Sequence, residues 1–181
     1  MDLVTVASIK QLAPINQATD DGLLGVIVAA VNVWIPNWLS RSLDSIQRSD
    51  LLDGNGSRVL MTPEFPITAV ASLAVDGTAI PAASSLILPG YRFHNRVLML
   101  NDYRFTRGIG NVEVTYTAGY STPPADLAFA ATELALLAFR DRERVGLTSK
   151  SVAGEVIGLF NGEMPARVKS ILQPYKNVVP L

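Results

Sequence analysis

Hydrophobic residues are distributed along the chain in two textures. From Gly22 to Ser40 the sequence reads GLLGVIVAAVNVWIPNWLS, without one charged side chain. On a helical period Leu23, Leu24, Val26, Ile27, Val28, Val31, Val33, Trp34 and Ile35 wrap almost the whole circumference. Thr19-Asp20-Asp21 ahead of the run offer a capping side chain and acids beside the positive end of the helix dipole. The pattern predicts a helix over residues 21–39, about 28 Å long at 1.5 Å per residue, with Pro36 kinking or ending it. A helix apolar all round is expected to be buried all round. One small domain struggles to do that, and a neighbouring subunit would help.

A second helix is signalled by Pro124, by Asp126 beside its N-terminus and by LAFAATELALLAF. Leu127, Phe129, Leu134, Leu136, Leu137 and Phe139 again cover more than one face, and RDRERVG with Gly146 closes it. Between the helices, from Gln47 to Ala118, the period shortens to that of strands. RVLM, TAVASLAV, RVLML and VEVTYTA are the strand candidates; Asp53-Gly54, Asp76-Gly77 and residues 108–111 are turn signals between them. Val112, Val114, Tyr116 and Ala118 alternate with Glu113, Thr115 and Thr117, as in a half-buried strand. Pro63 and Pro66 suit an edge or a crossing between strands. Beyond the second helix, VAGEVIGLF suggests a short strand, and Pro165 opens a last helix from Ala166 to about Gln173, stopped by Pro174. There is no internal repeat and no low-complexity segment.

The expected fold is therefore α+β: two long helices packed antiparallel, a small antiparallel β domain inserted between them, and a C-terminal helical tail. The expected divisions are an N-terminal helical part over 1–46, the β insertion over 47–120, the second helix over 121–147 and a separate extension over 148–181.

Composition refines this picture. The run from Gly22 to Ser40 is nearly long enough to span a bilayer. Asn32, Pro36, Asn37 and the lack of a one-sided basic flank argue against a span, and no basic segment ahead of it suggests a signal peptide. At 181 residues the chain is long enough to bury a core, and its 17% charged residues are fewer than the usual quarter or so. That shortfall suggests surface hidden against other subunits. A formal net charge of −1 argues against a dedicated nucleic-acid binder. Without cysteine, disulfides, thiolate chemistry and cysteine-ligated metals are excluded.

No stretch carries a convincing reaction centre. LDGNGSR lacks the lysine and the following helix of a phosphate loop. Read as a calcium loop from Asp53, it has Asn55 third, Ser57 fifth, Val59 seventh and Glu64 twelfth, but Arg58 replaces the sixth-position glycine. Its Asp-Gly-Asn-Gly is better suited to a hairpin turn, where positive φ is required. His94 is the single histidine, which rules out multi-histidine metal sites and suits a surface loop. Asp44, Asp50, Asp53 and Glu64 show no spacing that implies acid–base work. Arg92, Arg96, Arg104 and Arg107 interleave with Tyr91, Phe93, Tyr103 and Phe105, a mixture that serves either for contacting nucleic acid or simply for covering a β domain. The balance of charge favours the second. The chain is not expected to be an enzyme, nor to hold a metal or cofactor.

Four stretches taken in order resemble the head–tail connector (adaptor) family of tailed bacteriophages. They are TDDGLLGVIVAAVNVWIPNWLSRSL, LLDGNGSRVLMTPEFPITAVASLAVDG, VEVTYTAGYSTPPADLAFAATELALLAFRDRE and LQPYK. Together they cover most of the chain. The chain departs from the pattern in its unusually apolar first helix with Pro36, and in Thr148 to Glu163, which match nothing firmly. The resemblance implies a structural virion protein of the neck, assembled in the host cytoplasm. It also implies a homo-oligomeric ring of about a dozen copies closed by a head-to-tail interface. Its implied partners are the portal protein above and a stopper or tail component below, with DNA passing through without specific binding and no membrane involved. Another neck or tail-completion protein is the near alternative, and a ligand-binding accessory domain the more distant one. For the subunit interface the two apolar helices offer Leu24, Ile27, Val31, Trp34, Leu134, Leu137 and Phe139. By resemblance, the C-terminal stretch would reach toward the portal with Arg167, Lys169, Leu172, Tyr175 and Lys176, loose in the free subunit and ordering on docking.

Overall fold

The computed structural model describes residues 1–13, 15, 18–85, 87–141, 149–152, 155–158 and 164–177, the strands after residue 148 by backbone alone. The chain is α+β. In order it forms α1 (Val6–Leu12), α2 (Asp21–Leu39), β1 (Ile46–Gly54), β2 (Val59–Met61), β3 (Ile67–Val75), β4 (Thr78–Ala79), β5 (Gly90–His94), β6 (Val97–Asn101) and β7 (Gly108–Ala118). There follow α3 (Ala125–Arg140), β8 (Ser149–Val152), β9 (Glu155–Gly158) and α4 (Ala166–Leu172). Residues 1–41 and 122–176 make one unit; residues 42–121, joined by Asn177, make the other.

The first unit is helical, and α3 packs against α1, α2 and α4. α3 buries Leu127, Ala130, Ala131, Thr132, Ala135, Leu136 and Phe139, a set spaced for one broad helix face. Small alanines on that face allow close approach. Thr5 caps α1 in a capping box with Ser8, each satisfying the other's backbone N–H. α2 has the predicted limits but not the predicted cap: the Asp20 carboxylate makes no capping bond, and a short 3-10 turn (Ala18–Asp20) leads in instead. Asp21 pairs with Lys10 of α1.

Pro36 lies inside α2, which continues to Leu39 and ends at Ser40 in the left-handed conformation, φ 54°. A proline so close to the end deprives only the Asn32 carbonyl of its helical partner, so the last turn survives. The Asn32 side chain is engaged elsewhere. Its Oδ1 accepts from the Leu3 and Val4 amides at 2.9 and 3.1 Å, and its Nδ2 donates to the Val4 carbonyl at 3.1 Å. Asn32, a polar side chain within α2's apolar stretch, thus ties down the buried N-terminal segment, Leu3 and Val4.

The second unit is antiparallel β. β1-β7-β3-β4 form one sheet and β2-β6-β5 another. Their shared core holds Leu73, Val75, Leu98, Leu100, Phe105, Val112, Val114 and Tyr116. The alternation read in β7 is present, with Val112, Val114, Tyr116 and Ala118 inward. Asp53 to Arg58 is a turn, but not a hairpin turn: β1 pairs with β7 and β2 with β6, so it carries the chain from one sheet to the other. Its geometry explains its composition. Asn55 Oδ1 accepts from the Ser57 amide at 2.9 Å, Gly56 has φ +79°, and a Cβ on Gly54 would collide with the Thr106 carbonyl.

Three further expectations change. The C-terminal segment is not separate, because α4 belongs to the helical unit and buries Val168 and Leu172. The short strand expected in VAGEVIGLF is β9, and it pairs antiparallel with an unexpected strand, β8, that ends at Val152. Most importantly, α2 is not buried all round.

Candidate assembly surfaces

α2 buries four residues, Leu24, Val31, Ile35 and Leu39. At 100° per residue these fall on one side of the helix, and an arc of about 140° on the other side holds Gly22, Leu23, Val26, Ala29, Ala30, Val33, Trp34 and Asn37. All eight are exposed, Val26 at 68% and Val33 at 63%. A free helix surface of a soluble protein is normally polar on that side. Here it carries no charge at all. Trp34 lies at the border of the arc, its ring 6.5 Å from that of Trp38, over which Lys176 places its ammonium at 4.5 Å.

The residues expected at a subunit interface divide accordingly. Leu24, Val31 and Phe139 are buried in their own unit and cannot reach another chain. Ile27, Leu134 and Leu137 are half-buried, and Trp34 is exposed. Val26 and Val33, the most open apolar residues of the helix, were missed. A pattern that is apolar on every side gives no sign of which side faces inward.

α4 is fastened to α3. Arg167 lies 3.6 Å from the Glu133 carboxylate and over the Phe129 ring, 5.3 Å from its centre. Tyr175 donates its hydroxyl proton to the Asp126 carboxylate, at 2.7 and 2.8 Å from its two oxygens. Of the residues expected to meet the portal, Arg167 and Lys169 are exposed and Tyr175 and Lys176 half-buried, while Leu172 is buried and has no outward role. In this segment residues 166–176 are packed rather than loose.

The β unit holds no reaction centre in its described residues. No cluster of three or more His, Asp or Glu side chains is placed to hold a metal among them. Asp53 Oδ1 accepts from the Gly110 amide at 2.7 Å, and Asn111 bonds both Asp76 Oδ1 at 2.9 Å and the Gly54 amide at 2.9 Å. Thr106 donates to the other oxygen of Asp76, and these bonds hold the Asp76 carboxyl below the usual range. The carboxylates are thus occupied in tying loops together. Burial pushes the Tyr116 hydroxyl far up, reinforced by its 2.6 Å bond to Asp50. His94 ends β5, exposed. The arginine–aromatic group dissolves on folding: Tyr91 and Phe105 are core, and Arg96 lies over Phe65. A depression of about 400 Å³ on the four-stranded sheet, bordered by Ser49, Ser72, Glu113 and Thr115, shows no convergent cationic or histidine side chain.

One surface of the β unit went unrecognised in the sequence. In the three-stranded sheet Val59 stands opposite Met99 and Met61 opposite Val97, all on the side away from Leu60, Leu98 and Leu100. RVLM and RVLML are apolar at consecutive positions, so both faces of these strands are apolar. That loss of alternation was the available signal.

A family model described as "Head completion protein" matches residues 2–178. No curated protein matches the chain. In fold it is similar to a chain in the neck of a native GTA particle computed with C12 symmetry, with TM-score 0.53 and 20% identity over 97% of this chain and 90% of that one. A chain in the neck of an empty GTA particle computed with C6 symmetry gives TM-score 0.54 and 19% identity, over 97% and 89%. A chain in the virion of a native gene transfer agent particle gives 0.52 and 21%, over 97% and 89%.

Proposed function

The chain belongs to the head completion protein family, and on that premise we propose that it is a head–tail connector: a non-catalytic virion protein, copies of which close into a ring in the neck. The ring has about twelve copies, a number suggested by the C12 symmetry of the similar neck. It joins the portal to the stopper or tail component below and extends the channel through which DNA passes. A net charge of −1 suits a channel that must not hold DNA, since affinity for DNA grows with the phosphates neutralised.

The observation that carries this reading is the outward face of α2. An apolar, uncharged arc on a soluble chain exposes hydrocarbon to water at a cost of about 25 cal/mol per Å². Faces of this kind mark surfaces that are covered in the working assembly. By length and composition the stretch Ala18–Leu39 would also suffice to cross a bilayer. We read it as a protein contact because its other face is packed in the helical unit and Asn32 is bonded to the chain's own N-terminal segment. The exposed basic residues of α4, Arg167 and Lys169, are the portal-facing candidates.

The test is assembly. Purified protein is followed by light scattering across concentration, then mixed with portal rings and imaged. A species of about twelve subunits, free or on the portal, is the expected result. A monomer that ignores the portal at every concentration and salt contradicts the proposal. Recruitment to isolated tails instead of portals would move the protein to the tail-completion side of the neck.

A further inference from the structure

We infer that the outward face of the three-stranded sheet is the receptor for α2 of the next copy, so that these two faces together form the subunit contact. This rests on the ring reading above and goes beyond it by naming both halves of the joint. A ring closes through a head-to-tail interface, in which two different patches of one chain meet. The outward face of α2 is one such patch. The chain must then carry a second, of matching chemistry.

The quartet Val59, Met61, Val97 and Met99 has that chemistry. Val59 is 45% and Met61 56% exposed, although both sit in register beside β6 residues. An antiparallel sheet with one free face alternates to polar residues there. β5 does, with Arg92 and His94, but β2 and β6 do not, so their part of the face is built to be covered. The quartet contains no charge, and Arg92 and His94 of β5 border it. Contact over β2 and β6 buries no charge, with Arg92 and His94 of β5 left at its rim.

Size and shape agree. A helix with its side chains is about 10–12 Å across and neighbouring strands are about 4.8 Å apart, so the helix rests on β2 and β6 with β5 along its flank. Gly22, Ala29 and Ala30 keep the helix surface low, and methionines adapt to what rests on them. A portal or tail protein seated on one face would leave the other bare. A second copy of this chain covers both at once, all round the ring.

The chain contains no cysteine, so introduced thiols report without background. Val33→Cys, Met61→Cys and the double variant are assembled on portal rings and treated with a short thiol–thiol cross-linker. The double variant is expected to give a ladder of covalent oligomers, and each single variant none. A Val33→Cys dimer would mean a symmetric contact, and a Val33→Cys link to the portal chain would give that face to the portal; either overturns the inference. So does a ring that forms normally while the double variant stays unlinked, which leaves the ring reading standing. If the wild-type chain forms no ring at all, both fail together. As a second arm, Val33→Asp and Met61→Asp should each weaken self-association by about tenfold or more, with circular dichroism unchanged. Mixed in equal amounts, they should form a one-to-one heterodimer and nothing larger, because each keeps the patch the other has lost.

Discussion

α2 and α3 look alike in sequence and behave differently in the fold. α3 carries Asp126, Glu133 and Arg140, yet buries seven of its 16 residues. α2 has no charge after Asp21 and buries only four of its 19. The less apolar helix is the better buried. α3 is surrounded by α1, α2 and α4, which use up its apolar face. α2 has a packed side and an open side, and both are apolar. Hydrophobic patterning reports the total demand for burial, and a single chain need not meet it; the unmet part of α2 is its outward face.

Substitutions on the two sides of these helices should differ sharply in effect. The largest effects belong to the inward sides of both helices. Ile35→Ala and Leu127→Ala each empty a fully buried site and should cost about 2–5 kcal/mol in denaturant unfolding of the monomer. Values under about 1 kcal/mol would mean the packed side of α2 is no better held than its open side. Next comes Asn32→Ala, which strips three hydrogen bonds from the buried N-terminal segment. It should cost about 1–3 kcal/mol by the same measurement, and amide exchange should accelerate at Leu3 and Val4.

A smaller effect comes from Tyr116, whose burial in the β unit is complete without any partner chain. Its raised pKa means that the folded state keeps the proton that the unfolded chain releases near pH 10. The stability it contributes is whole below about pH 10 and is lost as the pH rises above that. Unfolding midpoints between neutral and strongly alkaline pH should therefore fall more steeply for the wild type than for Tyr116→Phe. Parallel curves would contradict the assignment. Smallest for the protomer is Val33→Asp on the open side of α2, within about 0.5 kcal/mol of wild type in monomer unfolding. Equality there, combined with lost assembly, is the outcome that separates the two sides of the helix.

Much of the fold was legible. The limits of α2 follow from its acidic start and the extent of its apolar run, and α3 and α4 are announced by Pro124 and Pro165. β7 shows its alternation openly. β1 was missed because its half-buried positions include Arg48 and Asp50, which face Glu64 at 3.9 Å and the Tyr116 hydroxyl rather than apolar neighbours. A hydrophobic period cannot register a strand whose inward groups are charged and paired from elsewhere in the chain. The turn at Asp53 to Arg58 was visible as a turn, but its partners are set by long-range pairing, so the sheets it joins were not. Among the expected site residues, Leu24, Val31, Phe139 and Leu172 were misplaced for one reason: apolar type says that a side chain wants cover, and packing alone says which chain provides it.

In the proposed ring the open side of α2 is covered by another copy of this chain. The most direct test is native mass spectrometry and electron microscopy of wild-type and Val33→Asp protein on portal rings. The account predicts a closed ring of about twelve wild-type subunits, and a Val33→Asp protein that folds but leaves the portal bare or sparsely decorated. A Val33→Asp variant that closes the same ring at the same concentration would contradict it.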